Sequence, residues 1–238
     1  MSYIMGFVAA VPEGNKEAYR KHAADAFPIF KDHGVTRLVE AWEEDVPEGE
    51  LTDLRKAVKA EPGEKIVFSW MEFPSQEVAR AMDEKMQSDP RMQEMGETMP
   101  FDGKRMIFGG FETVSDVGAA AGTGYVNGMV AAAPDKGREK YAAFAKRMAE
   151  VFQDHGATRL LDAWGVDVPV GKVTDFQSAV QAKEDEAIAF GLVEWPSKAV
   201  SDAGWEKMMA DERMQGGEMP FDGKRMIFGG FSPLLDLS

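Results

Sequence analysis

Met99-Pro-Phe-Asp-Gly-Lys-Arg-Met-Ile-Phe-Gly-Gly-Phe111 recurs letter for letter as Met219-Pro-Phe-Asp-Gly-Lys-Arg-Met-Ile-Phe-Gly-Gly-Phe231. Thirteen identical residues do not recur by chance, and outward from them the match spreads over both halves of the chain. Tyr3-Ile-Met-Gly6 returns as Tyr125-Val-Asn-Gly128, Asp32-His33-Gly34 as Asp154-His155-Gly156, Asp45-Val-Pro47 as Asp167-Val-Pro169, and Pro74-Ser75 as Pro196-Ser197. All keep one offset, until a two-residue deletion near Gly217 shifts the last segment. The chain is therefore read as a tandem duplication: residues 1–112, a flexible join of small residues at 113–124, and residues 125–238.

Within one copy, the apolar run Tyr3 to Val11, bounded by Pro12, suits a buried strand. Tyr19, Ala23, Ala26 and Phe30 recur at helical spacing, with Gly34 as the stop and Pro28 as an expected kink. Thr36 to Glu44 and Ile66 to Phe73 read as strands. Ser75 caps a second helix carrying Val78, Met82 and Met86, and Lys104 to Phe111 closes the unit as a strand after the Asp102-Gly103 turn. Strand, helix, strand, strand, helix, strand is the ferredoxin-like βαββαβ plan. Both helices cover one side of such a sheet and leave the other bare. The expected fold is α+β: two repeats packed sheet to sheet as a barrel within one chain, a pseudo-dimer that leaves a further homodimer open.

The 238 residues include no cysteine, and 27 Lys and Arg stand against 41 Asp and Glu, a formal net charge of −14. Thiolate metal sites and disulfides are excluded, and a nucleic-acid partner is not expected of so acidic a chain. No apolar run is long enough for a membrane span and no basic, apolar leader opens the sequence, so a cytoplasmic protein without membrane contact is expected.

Strand alternation singles out acids among apolar neighbours. Leu38, Glu40 and Trp42 share a strand face, as do Leu160, Asp162 and Trp164; Phe68, Trp70 and Glu72 repeat the pattern, as do Phe190, Leu192 and Glu194. The two strands are neighbours in the ferredoxin order. Glu40 is thus expected near Glu72 and Asp162 near Glu194, either as acid/base pairs of raised pKa or as acids satisfied by water, Lys or Arg. Trp42 and Trp164 are candidate ligand contacts. His33 and His155 precede helix-ending glycines and read as caps or contacts. His22, whose counterpart is Phe144, marks any site using it as single. Lys104 and Arg105, with Lys224 and Arg225, are either anion contacts or solvated strand entries. Three scattered histidines give no metal-binding spacing, so neither metal nor cofactor is expected, although one axial ligand would suffice for haem.

The paired Asp45-Val-Pro-Glu-Gly49 with Thr52, together with the thirteen-residue motif, resembles the YbaA-like family, a bacterial domain of unknown function. That resemblance implies the dimeric α+β barrel superfamily. Its members include cofactor-independent monooxygenases, lactone isomerases, haem-dependent enzymes and stress-response proteins, so the fold alone names no chemistry. The leading expectation is a small apolar or aromatic metabolite bound in the cleft between the repeats. A cofactor-independent monooxygenase or isomerase and a non-enzymatic stress-associated or structural module are the alternatives.

Overall fold

A computed structural model describes residues 2–86, 88–120, 122–214 and 218–238; Gly217, beside the deletion, lies outside them. The first repeat runs β1 (Tyr3–Pro12), α1 (Lys16–Asp32), β2 (Arg37–Asp45), α2 (Leu54–Ala57), β3 (Glu64–Phe73), α3 (Gln76–Met86), α4 (Pro90–Glu97) and β4 (Ile107–Gly118). The second runs β5 (Tyr125–Pro134), α5 (Arg138–Asp154), β6 (Arg159–Asp167), α6 (Phe176–Ala179), β7 (Glu186–Trp195), α7 (Lys198–Met209) and β8 (Ile227–Leu237). The strands close into one antiparallel barrel, β1-β3-β2-β8-β5-β7-β6-β4. Each repeat contributes the ferredoxin-like order, and β2–β8 and β4–β6 form the two seams.

The join is shorter than the sequence suggested. Thr113 to Gly118 continue β4 and pair with β6 from Ala163 to Arg159, because the alternation Thr-Val-Ser supplies strand-forming residues to an otherwise open edge. α1 continues through Pro28 to Asp32. α4 had no counterpart in the reading of the sequence. No helix among the described residues is long and apolar enough to cross a membrane.

The barrel interior is packed solid. Phe68 stacks on Phe190 across the pseudo-two-fold at 4.8 Å, and Phe111 and Phe231 lean on them at 5.1 and 5.4 Å. Gly6 and Gly128 make room for this stack: a Cβ at Gly6 would lie 2.5 Å from the Phe190 ring, and one at Gly128 2.7 Å from Phe68. One mouth of the barrel is plugged by α2 and α6, which put Leu54 and Phe176 into the core. There Thr52 donates to the Ala179 carbonyl (2.5 Å) and Thr174 to the Ala57 carbonyl (2.6 Å), locking one repeat to the other. The expected ligand cleft between the repeats is thus filled by their own side chains. The bare faces exclude water best by interdigitating.

The other mouth holds an ion cluster. Arg37 forks onto Glu194 at 2.7 and 2.9 Å, and Arg159 onto Glu72 at 2.7 and 3.1 Å, so each guanidinium neutralises an acid of the opposite repeat. Asp236 and Asp116 complete the arginines' shells.

Candidate functional site

Glu40 lies on the outer face of the sheet, beneath the helices, in register with Ser69 rather than Glu72. Glu72 pairs in register with Arg37 on the barrel-facing side. The two acids therefore sit on opposite faces, and the expected Glu40–Glu72 and Asp162–Glu194 pairs do not form; Asp162 is opposite Gly191. Alternation predicted which residues share a face within each strand. It could not say which faces align between strands, and a one-residue difference inverts that relation.

The partner that Glu40 does have is Tyr19 of α1, whose hydroxyl donates to Oε2 at 2.6 Å. Glu40 is only 7% exposed. Burial pushes its carboxyl up to about 7, against the hydrogen bonds from Tyr19 and Ser69 that favour the ionised form. Burial and the neighbouring carboxylate keep the Tyr19 phenol well above its usual range. Glu40 and Tyr19 stand at the wall of a cavity of about 350 Å³ between the sheet and α1, α3 and α4. Methionines dominate the lining, among them Met5, Met71, Met82 and Met86, with Phe7, Phe30 and Phe108. His22 and Asp83 complete its polar groups. Burial shifts His22 down, against the pull of Asp25, and shifts Asp83 up, with the charge of Asp167 adding to it.

The second repeat keeps the acid and loses the space. Tyr141 donates to Asp162 at 2.7 Å, and burial lifts that carboxyl to about 6. Larger side chains occupy the corresponding positions: Met148 for Ala26, Phe144 for His22, Trp205 for Asp83 and Trp195 for Phe73. Asn127, in place of Met5, accepts from Trp195 (2.8 Å), Trp205 (3.0 Å) and Ser201 (3.2 Å) and pins the indoles there. Phe152 meets the Trp205 ring edge to face at 5.1 Å.

The remaining candidates have structural partners. Trp42 is buried under the Lys16 ammonium, 5.2 Å from its ring, and Trp164 packs on Tyr141 at 5.6 Å; Trp42 flanks the Tyr19–Glu40 pair without lining the cavity. His33 and His155 are the C-caps of α1 and α5, with Nε2 within 3.2 Å of Asp89 and 2.9 Å of Asp211. Arg105 forks onto Glu64 and Arg225 onto Glu186, while the Lys104 and Lys224 amides close the Asp102 and Asp222 turns. Lys104 and Lys224 line clefts of about 400 and 450 Å³ at the α2/α6 end, the first of which meets the Glu40 cavity at Met106 and Phe108. The double glycines fit hydroxyls of the protein itself: a Cβ at Gly110 would fall 1.6 Å from Tyr3 Oη, and one at Gly230 1.8 Å from Tyr125 Oη. Among the described residues no group of three or more His, Asp and Glu is arranged to hold a metal ion. Tyr19, Ser69 and Asp83 were not singled out from sequence. For the tyrosine a signal existed, since Tyr19–Glu40 and Tyr141–Asp162 keep one spacing in both copies.

Followed by carbon-detected NMR, the Glu40 carboxyl should titrate with a midpoint near 7. A midpoint at its ordinary 4.5 would remove it from proton exchange. The sign for stability follows. With the folded value above the unfolded one, the folded chain holds the extra proton between 4.5 and about 7, so this contribution is lost as pH rises through that window. Glu40→Gln should gain stability relative to the parent at pH 8 compared with pH 4.

Comparison with known proteins gives two matches to the family described as "Protein of unknown function (DUF1428)", at residues 2–103 and 124–223. The uncharacterized protein YbaA of Escherichia coli (strain K12) is 60% identical over 116 residues, which cover 49% of this chain and 99% of YbaA; that of Shigella flexneri matches to the same extent. Among solved structures, a monooxygenase-like protein of Lactobacillus acidophilus NCFM superposes with a TM-score of 0.62 at 8% identity, covering 100% of this chain and 96% of the other. An anthrone oxidase-like protein gives 0.54 at 12% identity, over 99% and 92%. At such identities the structural likeness is one of fold alone. With 60% identity to YbaA and two family matches in register with the two halves of the barrel, the chain belongs to the DUF1428 family, whose domain it carries twice.

Proposed function

We propose that the first repeat binds one small, largely apolar molecule per chain in the cavity above Glu40, and that Glu40 exchanges a proton with it. The observation that carries this reading is the contrast between the copies: an acid with a tyrosine partner in both, beside a cavity of about 350 Å³ in the first and beside Met148, Phe144 and Trp205 in the second. That volume lies within the range of small-molecule sites. A core under no other demand would fill it, as the second repeat has done.

At the near-neutral pH of the cytoplasm, where we place the chain, a carboxyl with a pKa of about 7 is present in both forms. It can take a proton from one atom of the ligand and return it at another, a tautomerisation that needs no co-reactant. Tyr19 holds Oε2 in place, and the methionines give the cavity an apolar wall. Monooxygenation on the same deprotonated ligand would require dioxygen as co-substrate, and the likeness of fold does not argue for it.

The test transplants the second repeat into the first. A thermal-shift screen of aromatic and aliphatic compounds should find binders with a stoichiometry of one per chain, and Ala26→Met should weaken them at least ~10-fold by overfilling the cavity. Binders unaffected by Ala26→Met lie elsewhere, and a screen without binders leaves the structural-module alternative standing.

A further inference from the structure

We infer that the molecule this cavity takes is an organic cation on an apolar frame, a protonated amine or a quaternary ammonium. This rests on the reading of the cavity as a binding site and goes beyond it in naming the ligand's charge.

The lining supplies the argument. Its charge-bearing side chains, among the described residues, are two carboxylates, Glu40 in its wall and Asp83 on α3; no Lys or Arg joins them. His22 is the one basic group present, and burial disfavours its charged form. Tyr19 serves Glu40 with a neutral donor, and Asp83, exposed at the rim of the cavity, receives no hydrogen bond and no ion pair among the described residues. Four other acids of the sheet are matched by arginines, whereas Asp162 has a tyrosine alone. Glu72, Glu194, Glu64 and Glu186 each meet a forked arginine. Arg80, close to Asp83 on the same helix, is engaged by Asp167.

An anion entering this cavity would meet two acids and no counter-charge, at a cost that grows as water is excluded. A neutral ligand would leave the buried Glu40 with hydrogen-bond donors but no counter-charge, and the exposed Asp83 with solvent alone. A cation removes both problems, because it pairs with carboxylates that are otherwise uncompensated. The rest of the lining suits it too. Ring faces attract cations through their quadrupole, and thioether sulfur is polarisable and shapes itself to bulky groups. The second repeat supports the assignment by omission: where Trp205 stands in place of Asp83 the outer acid is lost together with the space.

The coupling to pH follows from the groups facing Glu40, namely Tyr19 and His22 from α1, Ser69 from β3 and Asp83 from α3. Only the ionised Glu40 pairs with a cation, and His22 competes only when protonated. Affinity for a permanently charged ligand should therefore rise from pH 6 to pH 8.

Three probes of similar shape separate the alternatives on the full chain by titration calorimetry: benzyltrimethylammonium, its neutral carbon isostere neopentylbenzene, and phenylacetate. The expected result is that the cation binds at least ~10-fold more tightly than the isostere while phenylacetate fails to compete. Glu40→Gln and Asp83→Asn should each remove most of that preference without weakening the isostere, and the preference should shrink at pH 6. Equal or tighter binding of the isostere, indifferent to Glu40→Gln, would overturn the cation and leave the cavity reading intact. Binding of none of the three, with Ala26→Met matching the parent across the wider compound screen, would overturn both.

Discussion

Replacing Arg159 by Met destabilises the folded chain by about 3–5 kcal/mol, the cost of leaving buried carboxylates without their counter-ion. Arg159 forks onto Glu72 and holds Asp116 at 2.8 Å, and it shares the barrel mouth with Glu194, which is 0% exposed. Glu194 is sealed from water, and Glu72 is only partly exposed. Arg37→Met should act alike through Glu194 and Asp236. Because an apolar replacement of the whole group can be nearly neutral, Arg159→Met combined with Glu72→Met should recover part of the loss. The pH dependence has a definite sign. Burial works against the charge on Glu72, but Arg159 outweighs it and holds the carboxyl below its ordinary 4.5. That stabilisation is present above pH 4.5 and is lost as pH falls through the lowered folded value, so the gap between parent and Arg159→Met narrows in acid. Urea denaturation at pH 7 and pH 4 measures both effects. A loss under about 1 kcal/mol at pH 7 would mean that the cluster behaves like a solvated surface pair.

Phe190→Ala should cost a comparable ~3–5 kcal/mol, and its effect should reach both repeats. The ring is fully buried, stacks on Phe68 at 4.8 Å and meets Phe111 at 5.1 Å and Phe176 at 6.2 Å. Phe68 and Phe111 belong to the first repeat and Phe176 to the second, so the stack is common property. Removing one ring opens a cavity that neither sheet can close alone, because β2–β8 and β4–β6 hold the barrel at fixed circumference. Parent and variant should therefore unfold in one transition by both tryptophan fluorescence and circular dichroism. Two separated transitions would show that each repeat has a core of its own.

Much of the architecture was legible because its signals are local. The repeat needs only string comparison, and the ferredoxin order needs only the period-2 and period-3.6 patterns with their caps. Glu40 and Asp162 stood out because a buried strand face seldom carries an acid; Glu40 proves buried and Asp162 half-buried, both with carboxyls pushed up. The expectation that two acids would pair went wrong at the register, where Arg37, and not Glu40, is opposite Glu72. The cleft expected between the repeats fails for a related reason. Bare sheet faces suggest an enclosed ligand, but Phe68 and Phe190, with Gly6 and Gly128 beneath them, fill the interior. Trp42 and Trp164 likewise share the face of their acids yet pack as core.

By itself, then, the sequence determined the duplication, the element order, the pairing of the repeats within one chain and the presence of an unusual acid on each second strand. Those are properties of spacing along the chain. Only the tertiary structure decided that Glu72 and Glu194 are neutralised by arginines of the opposite repeat, that Tyr19 and Asp83 line the same cavity as Glu40, and that this cavity lies under the helices of the first repeat. Those depend on the register between strands and on volumes summed over residues far apart in sequence. A single methionine at the position of Ala26, or a tryptophan at that of Asp83, distinguishes a packed copy from an open one.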